Sequence, residues 1–180
     1  MTQPSAESDD RSMRARARVA YPSWRWVRAD PGRLLVFGFG SGLIRPGSGT
    51  WGTLLAWVMW AVAAPMAPDL ALGLFLLAAF AYGCWACGRV GREMGVDDHV
   101  GMVWDEMVAF WLVLWLTPQT LEAQATAFVL FRFFDTVKPP PIRYFDAHLK
   151  GGFGAMWDDL LAAAYSLLIM AVVVRIGVFG

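Results

Sequence analysis

Charged residues and cysteines are both scarce in this sequence. Only 17% of the residues are charged, and 15 Lys and Arg balance 15 Asp and Glu. No basic stripe with interleaved aromatic residues is present, so nothing is typical of a nucleic-acid-binding protein. The two cysteines, Cys84 and Cys87, have no second pair and no nearby His. This pattern disfavours a zinc site and favours small residues that pack between helices.

Two common sequence signals are also missing. The first 33 residues hold seven Arg but no apolar h-region, so they do not predict a cleavable signal peptide. The glycine-rich segment 38–53 lacks the G-K-[ST] ending of a phosphate-binding loop and follows no clear strand. The common nucleotide-binding motifs are therefore excluded.

Apolar residues make up 57% of the chain and fall into separate blocks. The five blocks are Trp51–Ala64, Leu70–Cys87, Met107–Leu116, Ala125–Phe134 and Leu160–Val174. Leu70–Cys87 has no charged residue and is roughly long enough to cross a bilayer. Because lipid offers the backbone no hydrogen-bond partners, such segments must be helical. The sequence predicts an all-α, multi-pass transmembrane helix bundle with four or five hydrophobic segments.

The number of full crossings stays open at this point. Only 25 residues separate Glu106 from Arg132. Two crossings of about 20 residues each fit there only if both helices include their charged ends. A re-entrant pair with fewer crossings is the alternative.

The distribution of basic residues predicts the orientation. The turns 65–69 and 117–123 carry no Lys or Arg, and fourteen of the fifteen basic residues fall on the other side of the predicted bundle. The positive-inside rule makes that side cytoplasmic. We interpret residues 1–32 as a disordered basic cytoplasmic arm and residues 33–180 as a transmembrane domain, with the site at the cytoplasmic helix ends.

Four polar clusters fall on this cytoplasmic side. The first, residues 38–53, has six Gly in sixteen residues, which suits either close approach to an anion or close packing of helices. The second, residues 95–106, holds Asp98 and Asp105. On one helix these two would lie roughly 10 Å apart along the axis, too far to share an ion unless Asp98 is on a loop that folds back. Asp105 and Glu106 would point about 100° apart, so only one is expected to face a given metal.

The third and fourth clusters lie at the ends of apolar segments. Arg132, Asp135 and Lys138 form an oblique stripe on one helix, which Pro139–Pro141 must end. Charges in a membrane segment are costly, so a functional role is favoured over a purely structural one. The fourth cluster carries adjacent aspartates at 158 and 159, which in a first helical turn could be ordinary capping residues.

Together the clusters predict a phosphate site at a membrane surface. Carboxylates without thiols suit magnesium, and a divalent ion with Arg and Lys nearby is what a phosphoryl group requires.

The chain resembles the phosphatidylglycerophosphatase A family over roughly residues 33–165. The resemblance is carried in order by "GFGSGL" and "GTWGTLLA", by "DDHVGMVWDE", by "FVLFRFFDTVKPPPIRYFD" and by "GGFGAMWDD". It implies a magnesium-dependent, multi-pass inner-membrane enzyme that hydrolyses phosphatidylglycerophosphate to phosphatidylglycerol and phosphate. The lipid substrate would lie in the cytoplasmic leaflet. The first loop, "LIRPGSGT", and Ala109 and Ala164 depart from the family pattern, but none of these departures touches a carboxylate.

We assign expected roles on the clusters and the resemblance together. The metal ligands are expected to be Asp98, Asp105, Asp135, Asp158 and Asp159. The phosphate-binding residues are expected to be Arg132, Lys138, Ser41, Gly49 and Thr50. The catalytic residues are expected to be Asp105, Glu106, Asp135 and His99, with Glu106 and His99 as candidates for proton transfer. Direct attack by a metal-activated water is the default mechanism, with a phospho-Asp intermediate as the alternative.

Other function classes fit less well. A small cation transporter or channel would place acidic residues deep in several spans, whereas here they gather at one end. A non-catalytic lipid-binding subunit would not surround an anionic headgroup with carboxylates. The motifs of vanadium-chloroperoxidase-like lipid phosphatases and of CDP-alcohol phosphotransferases are absent from the sequence.

Overall fold

The computed structural model describes residues 20–179, and within them the chain is helical, with no β-strand. Two short 3₁₀ helices, Gly38–Leu43 and Ala64–Met66, flank the third α-helix. The α-helices are α1 (Trp24–Arg28), α2 (Pro31–Val36), α3 (Ser48–Ala63), α4 (Asp69–Met94), α5 (Trp104–Trp115), α6 (Leu121–Val137), α7 (Ile142–His148) and α8 (Gly151–Arg175). The all-α prediction is confirmed for this part of the chain.

Each of the five apolar blocks falls on its own helix. Helix α5 forms the centre of the bundle. Helix α5 contacts α3, α4, α6 and α8. Its apolar side chains are buried on all sides, including Met107, Phe110 and Leu114 at 0% exposure. A helix that is apolar all round belongs in a core. At 12 residues it is about 18 Å long, shorter than the roughly 30 Å of a bilayer core.

Helices α4 and α8 differ from α5 because their apolar residues point outward. Both are long and apolar enough to cross a membrane, and only 28% and 33% of their most apolar stretches are buried. Leu70, Leu77 and Leu168 are all at least 65% exposed. Exposed apolar faces of this size are typical of contact with lipid or another protein, rather than of a soluble surface.

The end of the predicted disordered arm is helical, which corrects our expectation for residues 20–32; residues 1–19 lie outside the described part of the chain. Helix α1 begins after Ser23, whose hydroxyl accepts a hydrogen bond from the Trp26 amide, and α2 begins after Asp30, whose carboxylate accepts one from the Arg33 amide. Arg89 on α4 pairs with Asp30, and Arg33 lies 2.7 Å from Glu93. Helix caps and ion pairs thus hold this segment against the end of α4.

The opposite end of the bundle is held by amide side chains. Gln124 accepts a hydrogen bond from the Trp57 indole at 2.7 Å, and Gln119 accepts one from the Trp60 indole at 3.3 Å. Gln119 also donates to the carbonyl of Leu114 at 2.8 Å. These bonds fix α3, α5 and α6 relative to one another.

Candidate active site

A cavity of about 840 Å³ lies where α4 and α6 end and where α5 and α8 begin. Eight carboxylates and three basic residues line it. The carboxylates are those of Asp97, Asp98, Asp105, Glu106, Asp135, Asp146, Asp158 and Asp159, and the basic residues are Arg92, Lys138 and Lys150. The six acidic residues that we singled out in the sequence therefore meet in one place, with the negative charge in excess.

Half of these carboxylates are withdrawn from solvent. Asp105, Asp135, Asp158 and Asp159 are each exposed by 8% or less. Asp98 lies in the non-helical segment 95–103, so it can face the same cavity as Asp105. The condition that we set for these two residues, a loop that folds back, is met.

Arg132 does not line the cavity but lies between two acids that do. Its Nη1 is 2.7 Å from Asp135 Oδ2 and 3.1 Å from Glu106 Oε1. The same nitrogen donates a 3.4 Å hydrogen bond to the Thr53 hydroxyl, which in turn donates to the Gly49 carbonyl at 2.8 Å. Sequence reasoning missed Thr53, because its partner lies 79 residues away on another helix.

Gly49 lies against the carboxylate of Glu106. A Cβ on Gly49 would lie 2.6 Å from the Glu106 carboxyl carbon, closer than real Cβ contacts. Gly49 therefore leaves room for the Glu106 carboxylate between α3 and α5. Gly49 is not among the residues that line the acidic cavity, and its phosphate-binding role stays a prediction.

Lys138 joins three elements around the cavity. It follows the end of α6 in a left-handed conformation, with φ 45°, and its side chain pairs with Asp158 on α8 and lies 3.0 Å from Asp146 on α7. Such a conformation is uncommon outside Gly and occurs often at functional sites. Asp146 was also missed, although the sequence places it only eight residues from Lys138.

The adjacent aspartates of α8 are not capping residues. Helix α8 begins at Gly151, so Asp158 and Asp159 lie in its third turn, beyond the free amides of the first turn. Asp159 is 4% exposed, and Asp158 Oδ1 is buried without a hydrogen-bond partner among the described residues. The ordinary capping interpretation is therefore wrong here.

His99 differs from our expectation of a proton-transfer residue. Its Nδ1 accepts a 3.0 Å hydrogen bond from the Gly101 amide, so Nε2 carries the proton and faces the Ala20 carbonyl at 3.3 Å. The ring is fully buried, with Tyr21 packed edge-on against it. With both nitrogens engaged by backbone, His99 holds the loop that carries Asp98.

Two further expected phosphate ligands are not among the residues that line the cavity. Ser41 donates to the Gly38 carbonyl at 2.7 Å and lines a separate apolar groove beside Trp24 and Trp51. Thr50 is a first-turn residue of α3. The glycine-rich segment therefore does not supply Ser41 or Thr50 to the acidic cavity.

The donor set of the cavity fits a hard divalent cation. Its carboxylate oxygens are ligands that Mg²⁺ prefers, and Glu106 Oε2 and Asp158 Oδ1 are both buried without a hydrogen-bond partner in the described chain. Buried acceptors of this kind normally have partners. No three His, Cys, Asp or Glu side chains within residues 20–179 are already grouped closely enough to hold an ion. Ligation would therefore draw the carboxylates closer together.

Comparison with known proteins identifies the family of this chain. The family model for phosphatidylglycerophosphatase A matches residues 34–174. The phosphatidylglycerophosphatase A of Haemophilus influenzae is 43% identical over 142 residues, which cover 78% of this chain and 87% of that protein. The Escherichia coli protein of the same name is 37% identical over 143 residues, covering 79% and 83% of the two chains.

A relative from Bacteroides thetaiotaomicron has a different, provisional name, phosphatidylinositol-3-phosphatase. It is 39% identical over 147 residues, covering 77% of this chain and 91% of that protein. No solved structure matches the chain. The matched residues 34–174 span α3 to α8 and so include every acidic residue of the cavity. The chain therefore belongs to the phosphatidylglycerophosphatase A family.

Proposed function

We propose that this protein removes the terminal phosphate from phosphatidylglycerophosphate, which yields phosphatidylglycerol and inorganic phosphate in phospholipid biosynthesis. The observation that carries the proposal is the cavity in which eight carboxylates face three basic residues within a chain of this family. Such a cavity repels an anionic headgroup unless a divalent cation is present. Family membership does not favour the cation transporter that we considered as an alternative.

Magnesium is the proposed cofactor. When bound, it would neutralise phosphate oxygens and lower the pKa of a water molecule. Asp98, Asp105, Asp135, Asp158 and Asp159 would hold it. We infer this from their shared cavity, their burial and the oxygen chemistry of the donors.

Glu106 is proposed to act on the proton, with Arg132 as the residue that positions it. Glu106 Oε2 has no hydrogen-bond partner among the described residues, so it can accept the proton of the attacking water. The water oxygen forms a bond to phosphorus as the bond to the glycerol oxygen breaks, and the glycerol oxygen takes up a proton. Arg132 pairs with both Glu106 and Asp135 and so holds these two acids in place beside the reacting group.

The names of the relatives describe lipids of similar chemistry. Phosphatidylglycerophosphate and phosphatidylinositol 3-phosphate each carry a phosphomonoester on a polyol and a phosphodiester to diacylglycerol. We therefore propose that the substrate of this chain also carries both groups. Its acyl chains would remain among the lipids while the headgroup enters between the helix ends.

The proposed setting is the inner membrane, with four or five crossings and the site facing the cytoplasm. The placement of basic residues supports this orientation, since the turns 65–69 and 117–123 at the far end of the bundle carry no Lys or Arg. The two long apolar helices support membrane insertion. Helices α3 and α6, about 24 and 26 Å long, would cross with some local thinning of the bilayer.

The test is phosphate release from phosphatidylglycerophosphate by the purified protein, with and without a chelator. Asp105→Asn and Asp135→Asn should each lower the rate by about 100-fold or more, because each removes a charge from the site. Asp69→Asn, an exposed acid at the far end of α4, is the matched control. Full turnover in both site variants would refute the assignment, and phosphate label trapped on the protein would replace direct water attack with a phospho-Asp intermediate.

A further inference from the structure

Arg132 and Lys138, the two basic residues that we predicted to bind phosphate, both form ion pairs with carboxylates. Arg132 pairs with Glu106 and Asp135, and Lys138 pairs with Asp158 and with Asp146. Each cation is therefore balanced by two acids, and little of its charge is left to attract an anion from solution.

Arg92 and Lys150 line the cavity. They differ from Arg132 and Lys138 in their ion pairing. Arg92 lies in the last turn of α4, and Lys150 directly precedes α8. Both are exposed, and neither forms an ion pair with any residue between 20 and 179. Their positive charge is thus open to an incoming ligand.

The packing of two glycines places Arg92 near the start of α8. A Cβ on Gly88 would lie 3.2 Å from the amide nitrogen of Gly152 and 3.5 Å from Nη1 of Arg92. The Arg92 guanidinium therefore lies beside the contact between α4 and α8, and Lys150 precedes Gly152 by two residues. Asp158 follows Lys150 by eight positions, which is about 12 Å along the helix axis. The basic pair thus lies at the mouth of the cavity and the buried carboxylates lie deeper.

We propose that Arg92 and Lys150 bind the phosphodiester of the substrate and so select lipids that carry a second phosphate. This inference rests on the proposed function. A phosphomonoester bound among the deep carboxylates leaves the phosphodiester of the same headgroup near the cavity mouth, where two open cations attract it. Phosphatidic acid has a phosphomonoester and no phosphodiester, so it gains nothing from this pair.

The test compares phosphatidylglycerophosphate with phosphatidic acid in detergent micelles at fixed magnesium. Arg92→Gln, Lys150→Gln and the double variant should raise the KM for phosphatidylglycerophosphate, about tenfold in the double variant, and should leave kcat nearly unchanged. The KM for phosphatidic acid should not change. Arg143→Gln, an exposed basic residue of α7 that does not line the cavity, is the control and should behave as the wild type does.

Three outcomes decide the matter. A selective rise in KM for the lipid with two phosphates supports the inference. Equal losses on both substrates, or no loss on either, would overturn it while the proposed function stands. Failure of the wild-type protein to release phosphate from phosphatidylglycerophosphate would overturn the proposed function and this inference with it.

Discussion

At the scale of single residues, the position of the Glu106 carboxylate depends on the absence of a side chain at Gly49. Alanine at this position would place a carbon 2.6 Å from the Glu106 carboxyl carbon and displace Glu106 from Arg132. We expect Gly49→Ala to lower phosphatase activity by about 100-fold, because misplacement by about 1 Å can cost that much. Thermal unfolding in detergent should change little, since Ala is a better helix former than Gly.

The control for this substitution is Val58→Ala on the outward face of the same helix, where Val58 is 62% exposed. It should retain wild-type activity. A fully active Gly49→Ala protein would show that Glu106 does not need its present position.

Single acidic residues could be predicted from the sequence, but their partners could not. Asp105, Asp135 and Asp158 stood out because charge is rare near apolar segments. Thr53 and Asp146 did not stand out in the sequence, because a hydroxyl in a helix and an acid after a proline turn are both common. Only the fold shows that Thr53 contacts Arg132 and that Asp146 contacts Lys138. The backbone contacts of His99 could not be predicted for the same reason, since only the fold shows that both ring nitrogens face backbone groups.

At the scale of elements, Asp30 fastens α2 to the end of α4. The hydrogen bonds from the Arg89 guanidinium, followed by that from the Arg33 amide, lower the pKa of Asp30 from 3.8 to about 2. A lowered pKa in the folded state means that this carboxylate stabilises the fold above about pH 4. That contribution is lost as the pH falls from about 4 to about 2.

Asp30→Asn tests this attachment. The variant should unfold at a lower temperature than the wild type at pH 7, and the difference should vanish as the pH falls from about 4 to about 2, where wild-type Asp30 is itself protonated. The measurement is thermal unfolding in detergent across this range. A difference that stays constant down to pH 2 would mean that the charge of Asp30 contributes nothing.

Helix positions followed from the apolar blocks, but some helix starts did not. Helix α8 begins at Gly151, about two turns before the acids, because the apolar block alone gave no sign that the glycine-rich turn is helical. Helix α5 is a short central helix, a property that depends on the four helices around it. Sequence periodicity reports which residues are apolar, and a segment that is apolar all round fits either a core or a membrane.

At the scale of the whole molecule, the alternation of helix directions places the cavity at one end of the bundle. We predict that residue 122, exposed at the start of α6, faces the outside of the cell and that residue 147, beside the cavity, faces the cytoplasm. In a background in which Cys84 and Cys87 are replaced by Ser, Glu122→Cys should react with a membrane-impermeant thiol reagent in intact cells. Ala147→Cys should react only after permeabilisation, and the reverse pattern would contradict the orientation.

The meeting of distant acids was the main expectation from sequence at this scale, and the structure brings them to one cavity. What sequence could not supply was the balance of charge inside it. Arg132 and Lys138 form ion pairs that include acids from other parts of the chain. The excess of negative charge in the cavity therefore depends on how the helices assemble, and no single motif predicts it.

The central claim is that this excess of carboxylates binds a divalent cation, and equilibrium binding of Mn²⁺ tests it most directly. Electron paramagnetic resonance of free Mn²⁺, measured with the purified protein in detergent, reports binding without any need for turnover. We predict saturable binding that Mg²⁺ displaces and that the Asp105→Asn, Asp159→Asn double variant loses. Wild-type protein that binds no Mn²⁺, or a double variant that binds it as tightly as the wild type, would contradict the account.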